Sequence, residues 1–233
     1  MRLAHLHLPG LAPYAVASEV QQRIVAAFLA FKADSTKTCP PPTVITAEFK
    51  PVYTCGRREA GSLNAAQEAH LRRNGTADFY YTSRGGQTTF HGPGQLVAYP
   101  ILDLKQHALS PRCHINLLEE VVIQTCGKYG IKGFRTGNPG VWTSQDRKIC
   151  AVGVHLRRNI SSHGIGLNVS TDLDWFRRIV ACGLEDKTAT SLAELGVKDV
   201  SVADVAKTYV ELLATSLKGV QGVEQITKDD LPP

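Results

Sequence analysis

Residues 84–100 restrict the architecture of this chain more than any other segment. They read Arg-Gly-Gly-Gln-Thr-Thr-Phe-His-Gly-Pro-Gly-Gln-Leu-Val-Ala-Tyr-Pro. Four glycines, Pro93, Gln87, an arginine and a histidine thus stand between strand-like runs at 77–82 and 95–102, the second of which opens on another glutamine, Gln95. Glycine admits positive φ and close backbone approach to a ligand, and Pro93 fixes a turn. A plain strand-to-strand connection needs only one or two such residues. This loop has the chemistry of one that wraps a ligand.

The surrounding pattern is a mixture of strands and helices. Residues 3–8 read as extended and 13–32 as a helix, with Val20, Ile24, Ala27, Phe28 and Phe31 on one face. The stretch 32–42 ends in three prolines and reads as loop. Strands follow at 43–49 and 51–54. A short helix spans 62–73 and stops at Asn74-Gly75. Beyond the glycine-rich loop a helix is expected at 113–129, with strands at 140–143, 148–156 and 164–169. A short helix at 172–179 and a longer one at 202–217, capped by Ser201, complete the pattern. Strict β-α-β alternation is absent, so the expected fold is α/β with a mixed sheet, or α+β, in one domain. That domain spans 1–220, with a polar, frayed tail at 221–233.

Composition narrows the function. A chain of 233 residues can bury a sizeable core, and no apolar run is long enough to span a bilayer. The net charge of +5 comes from dispersed basic pairs, not from a stripe with interleaved aromatics, which argues against a nucleic-acid binder. The six cysteines show neither CxxC pairs nor metal-ligand spacing. Reduced intracellular thiols are the simpler reading. Residues 1–8 read as a first strand, not as a signal peptide. No P-loop motif occurs.

For chemistry, Cys182 follows the short helix at 172–179 and precedes a glycine, a turn that could aim sulfur into a cleft. The alternative is a packed small hydrophobe, the ordinary fate of a cysteine. A thiol with a pKa of about 8.5 is only about 3% thiolate at pH 7, and lowering it to about 7 takes about 2 kcal/mol. One nearby cation in a dry cleft supplies that. Lys148 and His91 are the candidates, with solvated strand-edge lysine and structural loop histidine as their alternatives. His163, also beside a glycine, is equally open. No carboxylate pair suggests acid–base chemistry. From residues alone, the chain reads as a small-molecule or acyl-binding enzyme with a candidate cysteine nucleophile.

Residues 84–104 follow the pattern RGGQxTxHGPGQLxxYPxxDL, and further matching blocks stand at 51–57, 148–154, 162–169, 181–184 and 190–192. Together they closely resemble the lipoyl(octanoyl) transferases, which move an octanoyl group from acyl carrier protein to lipoyl domains. The resemblance covers about 44–195. It implies the single-domain fold shared with biotin and lipoate ligases. It also implies two acyl steps through a cysteine thioester, with no cofactor, ATP or metal. By residue-to-residue matching, Cys182 is the nucleophile and Lys148 the lysine that lowers its pKa. Arg84, Gly85, Gly86, Gln87, Thr88, Thr89, Phe90 and His91 would line the acyl and pantetheine site. Ala151, Val152 and Gly153 would offer amides to the thioester oxygen. Gly164, Ile165 and Gly166 would form the opposite wall, their missing side chains leaving room for the acyl chain. His91 and His163 would orient Lys148 or shuttle a proton.

The implied donor is octanoyl-acyl carrier protein. The acceptors are lipoyl domains of 2-oxoacid dehydrogenase E2 subunits and the glycine cleavage H protein. No nucleic acid or membrane partner is expected, and the chain is expected to be a monomer. The 32–42 insertion has a eukaryotic look and points to the mitochondrial matrix, or to the cytoplasm for a bacterial source. Arg57, Arg58, Arg157 and Arg158 are candidate contacts for the acidic carrier, solvated surface arginines being the alternative. Departures from the family pattern are Phe49 for His, Phe90 for Tyr, Ala181 for Pro, Gly166 for Ala, and Cys150. Two rivals remain. One is an ATP-dependent ligase of the same fold, whose loop would run Ser-Gly-Gly-Gly where this one has His-Gly-Pro-Gly-Gln. The other is a non-catalytic binding scaffold.

Overall fold

The computed structural model describes residues 1–179 and 187–231. The apolar and β-branched residues of β1 (Leu3–Ala12) and β2 (Thr43–Phe49) form parallel neighbours, joined by helix α1 (Tyr14–Ala33). The chain then leaves for a small sheet of β3 (Val52–Cys55), β4 (Asp78–Tyr81) and β5 (Thr89–His91), ordered β4-β3-β5. Helix α2 (Ala65–Arg72) connects β3 to β4. The chain returns with β6 (Gln95–Ile101), α3 (Pro111–Lys128), β7 (Val141–Trp142), β8 (Arg147–Arg157) and β9 (Ile160–Asn168). Next come β10 (Thr188–Ala189), α4 (Val202–Ser216) and β11 (Val223–Ile226). The large sheet runs β10-β8-β9-β6-β2-β1-β11, with β7 also against β8. Its parallel and antiparallel pairs make it the mixed sheet expected from the sequence.

Alternation along the strands sorts the core into two layers. Val44, Leu96 and Ala98 face α3 and α4, whereas Ile45, Val97 and Tyr99 face α1. Val20, Ile24 and Phe28 of α1 are buried there, one helical turn apart. Each fully buried side chain of this kind contributes roughly 1.5–3 kcal/mol. A third cluster under the small sheet gathers Tyr53, Phe79 and Phe90 with Trp175 and Phe176. Helix α4 begins with the expected cap: Ser201 Oγ accepts from Asp204 N–H, and the Asp204 carboxylate accepts from Ser201 N–H. The β8–β9 hairpin turns on Arg158 and Asn159, both at positive φ, as a two-residue type I′ turn requires.

Three local expectations are corrected. The glycine-rich loop contains a short strand, β5, which pairs antiparallel with β3. The expected helix at 172–179 is a 3-10 segment, Leu173–Arg178, started by the Asp172 carboxylate accepting from Asp174 N–H. The polar tail is not wholly frayed. Val223–Ile226 pairs parallel with β1, Leu3 N–H donates to Gly222 carbonyl at 2.9 Å, and Gln225 bonds His5 at 2.9 Å. The edge of β1 would otherwise expose unpaired backbone, and covering it costs no hydrophobic signature.

Candidate active site

A cavity of about 300 Å³ lies between the glycine-rich loop and strands β8 and β9, within the size range of small-molecule sites. The structure brings Arg84, Gly85, Gly86, Gln87, Thr88, Thr89 and His91 to one side of it. Lys148, Ala151, Val152, Gly153, His163, Gly164, Ile165 and Gly166 line it as well. Phe90 does not. The pleat of β5 turns it the opposite way from Thr89 and His91, and it stacks on Trp175 at 4.9 Å and abuts Tyr53. A tyrosine hydroxyl at this position would point away from the cavity. Cys182 lies outside the described residues. Ile179 and Thr188, on either side of the segment 180–186, both line the cavity.

Arg84 holds the loop in shape. Its Nη2 donates to the Thr54 carbonyl at 2.5 Å and to Thr54 Oγ1 at 2.9 Å, and its Nη1 donates to the carbonyls of Gly85 and Gln87. The guanidinium fork satisfies four acceptors from one nearly buried position, which an ammonium could not match in geometry. Gly56 packs against this knot: a Cβ there would sit 2.3 Å from the Gly86 carbonyl oxygen.

A hydrogen-bond chain sets the state of His91. Asn168 Nδ2 donates to the Thr190 carbonyl at 2.9 Å, so its Oδ1 accepts from Gln95 Nε2, also at 2.9 Å. The Gln95 amide nitrogen also donates to the Phe90 carbonyl, leaving its oxygen 2.6 Å from His91 Nδ1. That oxygen is an acceptor, so His91 carries its proton on Nδ1 and keeps a lone pair on Nε2. Burial pushes the His91 pKa down to about 4. His91 is therefore neutral near pH 7, which removes it as the cation that would activate a thiol.

His163 is also neutral, its pKa lowered to about 3 by burial and then by the Arg84 charge. It adopts φ +58° inside β9, a conformation that costs a non-glycine residue energy. Gln21 of α1 holds it there by accepting the His163 backbone N–H at 2.6 Å. Its ring meets Tyr99 edge-on at 5.4 Å. Lys148 is half-buried, with Nζ 3.1 Å from the Pro139 carbonyl and 4.6 Å from the centre of the Trp142 ring. The carbonyl and the aromatic face both stabilise an ammonium there. Trp142 and Ala189 are its cross-strand neighbours on β7 and β10.

Strand β8 shows which amides are available. The Val154 carbonyl accepts from Gly85 N–H at 3.0 Å, on the edge away from β9. Strand alternation turns the Val152 N–H to that same edge, whereas Ala151 and Gly153 face their β9 partners Gly166 and Gly164. The glycines of β9 have another use than the one expected. A Cβ on Gly164 would lie 2.3 Å from the Ala98 carbonyl oxygen, and one on Gly166 would press on Gln95 and His91. Their missing side chains make room for protein neighbours, not chiefly for a ligand.

Among the described residues that line the cavity there is no Asp or Glu, and Arg58, Arg84 and Lys148 supply positive charge. The described residues hold no group of three or more His, Cys, Asp or Glu able to bind a metal ion, and no helix long and apolar enough to cross a membrane. Sequence reasoning missed Gln95, Tyr99, Asn138, Pro139 and Asn168 as lining residues. Gln95 was the most findable, lying in the glycine-rich motif itself.

The family model described as the lipoyl protein ligase A/B catalytic domain matches residues 13–214. A Schizosaccharomyces pombe protein named "probable octanoyltransferase" is 48% identical over 188 residues, covering 80% of this chain and 83% of its own length. The Danio rerio octanoyl-acyl-carrier-protein:protein N-octanoyltransferase, mitochondrial, is 45% identical over 195 residues, covering 84% and 83%. A solved structure of the bipartite lipoate protein ligase from Thermoplasma acidophilum superposes with a TM-score of 0.65 at 15% identity, covering 97% of this chain and 86% of that one. That likeness concerns the fold.

Proposed function

This chain belongs to the lipoyl protein ligase A/B catalytic-domain family, and from that membership we propose that it moves octanoyl groups through a thioester on Cys182. The overall activity is octanoyltransferase activity, the first step of protein lipoylation. Acyl carrier protein is the donor side and a lipoyl-accepting protein the acceptor side. The observation that carries the mechanism is the cavity itself. It is lined by Lys148, by the open edge of β8, and by Ile179 and Thr188, which flank the segment 180–186 in sequence.

The steps balance without ATP. The Cys182 thiolate attacks the octanoyl thioester carbonyl, and the carrier thiolate leaves and takes a proton from the Lys148 ammonium. The acceptor lysine amine then attacks the acyl-enzyme, and its surplus proton returns to Lys148. Amide formation releases the Cys182 thiolate and regenerates the ion pair. Val152 N–H, facing the cavity edge, is our choice for the donor to the developing oxyanion. Neutral His91 and His163 act as oriented hydrogen-bonding groups. E2 lipoyl domains and the glycine cleavage H protein are our proposed acceptors. On this reading the chain acts as a monomer. The mitochondrial name of the Danio rerio relative supports a mitochondrial location, with the matrix as our reading and the cytoplasm if the source is bacterial.

The test is to incubate the protein with octanoyl-acyl carrier protein and a lipoyl domain, with and without ATP, and weigh the domain. Octanoylation at equal rates in both is expected. A strict ATP requirement would make the ligase reading correct.

A further inference from the structure

A second cavity, of about 380 Å³, adjoins the first: Thr88 and Ile179 line both. It is walled by α2, the segment that precedes it, and Arg178. Its polar groups form a pattern. Asn64 Oδ1 and Gln67 Oε1 accept each other's backbone N–H in the helix cap, which leaves the NH₂ of each side chain as a donor. Glu59 uses Oε2 to accept from Thr88 N–H at 2.6 Å and keeps Oε1 as an acceptor. Thr88 is 7% exposed, and its Oγ1 has no hydrogen-bond partner among the described residues. The Cys55 thiol lies against it as a weak sulfur partner and donates to the Gly56 carbonyl at 3.7 Å, so the hydroxyl has no oxygen or nitrogen partner there. A buried hydroxyl with only a thiol beside it is poorly satisfied, so a ligand group at the junction of the two cavities would complete its hydrogen bonding.

We propose that this second cavity binds the amide-bearing arm of the thioester donor, an inference that rests on the octanoyltransferase reading. A phosphopantetheine arm carries two amides, each with a carbonyl and an N–H, and ends in a phosphate. The NH₂ groups of Asn64 and Gln67 meet its carbonyls, Glu59 meets an N–H, and Thr88 bonds the amide nearest the thioester. Arg178, whose Nη1 is held by the His70 carbonyl at 2.8 Å, keeps further N–H groups for the phosphate. The acyl chain in the first cavity and the arm in the second give the donor one continuous seat, with the thioester at the shared wall.

The experiment measures acyl-enzyme loading from two donors, octanoyl-phosphopantetheine and S-octanoyl ethanethiol, which lacks the arm. Ala66 lines only the second cavity and is exposed on α2, so Ala66→Trp fills the cavity without touching the core. Ala66→Trp should lower kcat/KM for loading from the full donor tenfold or more, with less than a twofold change for the armless one. Equal losses with both donors, or no loss with either, overturn the proposal. So does a defect confined to discharge onto the lipoyl domain, which would make the cavity a seat for the acceptor peptide. Wild-type protein that loads from both donors equally well removes the arm site and leaves octanoyl transfer standing. Wild-type protein that loads from neither removes both.

Discussion

Of the three cationic residues that line the cavity, Arg84 and Lys148 have different jobs. Arg84 is committed to four acceptors of the loop and β3, so its role is to hold shape. Arg84→Lys keeps the charge but loses the fork, and hydrogen bonds to charged groups are worth about 1.5–3 kcal/mol each. Loss of two of them should lower the melting temperature by on the order of 6–24 °C for a chain of this size. Thermal denaturation showing an unchanged midpoint would remove Arg84 from this role. Lys148 is given the chemical job. Lys148→Ala should cut turnover most near pH 7 and recover in part toward pH 9, because solvent base then makes the thiolate. A uniform loss across that range would mean that Lys148 does not act on the thiol. The proposed pair of Cys182 and Lys148 rests on the motif blocks, since spacing alone places neither beside the other. The role of His91 was not legible: burial decides its charge, and Gln95, Asn168 and the Thr190 carbonyl, which converge only in the fold, decide its tautomer.

At the scale of elements, the strands and helices with strong periodicity stood out in the sequence, among them β2, β6, α1 and α4. Short pieces did not. β5 is three residues long inside a glycine-rich run, and its strand character comes from β3 beside it. β11 is half polar, with Glu224 and Gln225 exposed, so hydropathy marks it as tail, whereas the vacant edge of β1 makes it a strand. The glycines of β9 looked like ligand clearance but serve strand packing, a distinction that needs the position of Ala98. Truncation after Gln221 should therefore uncover β1, lower thermal stability and promote self-association through the bare edge. Light scattering and a melting curve check this, and a truncated chain that matches full-length protein in both would restore the frayed-tail view.

For the whole molecule, four buried histidines share one electrostatic condition. Burial lowers His5, His91 and His114 to about 4 and His163 to about 3, from an ordinary 6.5. The unfolded chain therefore binds more protons than the folded one between those limits, so stability rises with pH across that window. It is complete above about pH 6.5 and is lost as pH falls toward 4. For His91, which is fully buried, the effect is on the order of 3 kcal/mol. Urea midpoints should fall steadily from pH 7 to pH 4.5, and a flat profile would mean that these histidines protonate without resistance. The acyl cavity and the second cavity meet at one end of this frame, at Thr88 and Ile179.

The central claim is that the octanoyl group is carried on the enzyme. Intact-mass measurement after mixing the protein with octanoyl-acyl carrier protein alone, without ATP, tests it most directly. One octanoyl adduct, mapped to Cys182, absent in Cys182→Ala and discharged by a lipoyl domain, is the predicted result. A lipoyl domain octanoylated at full rate by Cys182→Ala, with no adduct on the wild-type protein, would contradict it.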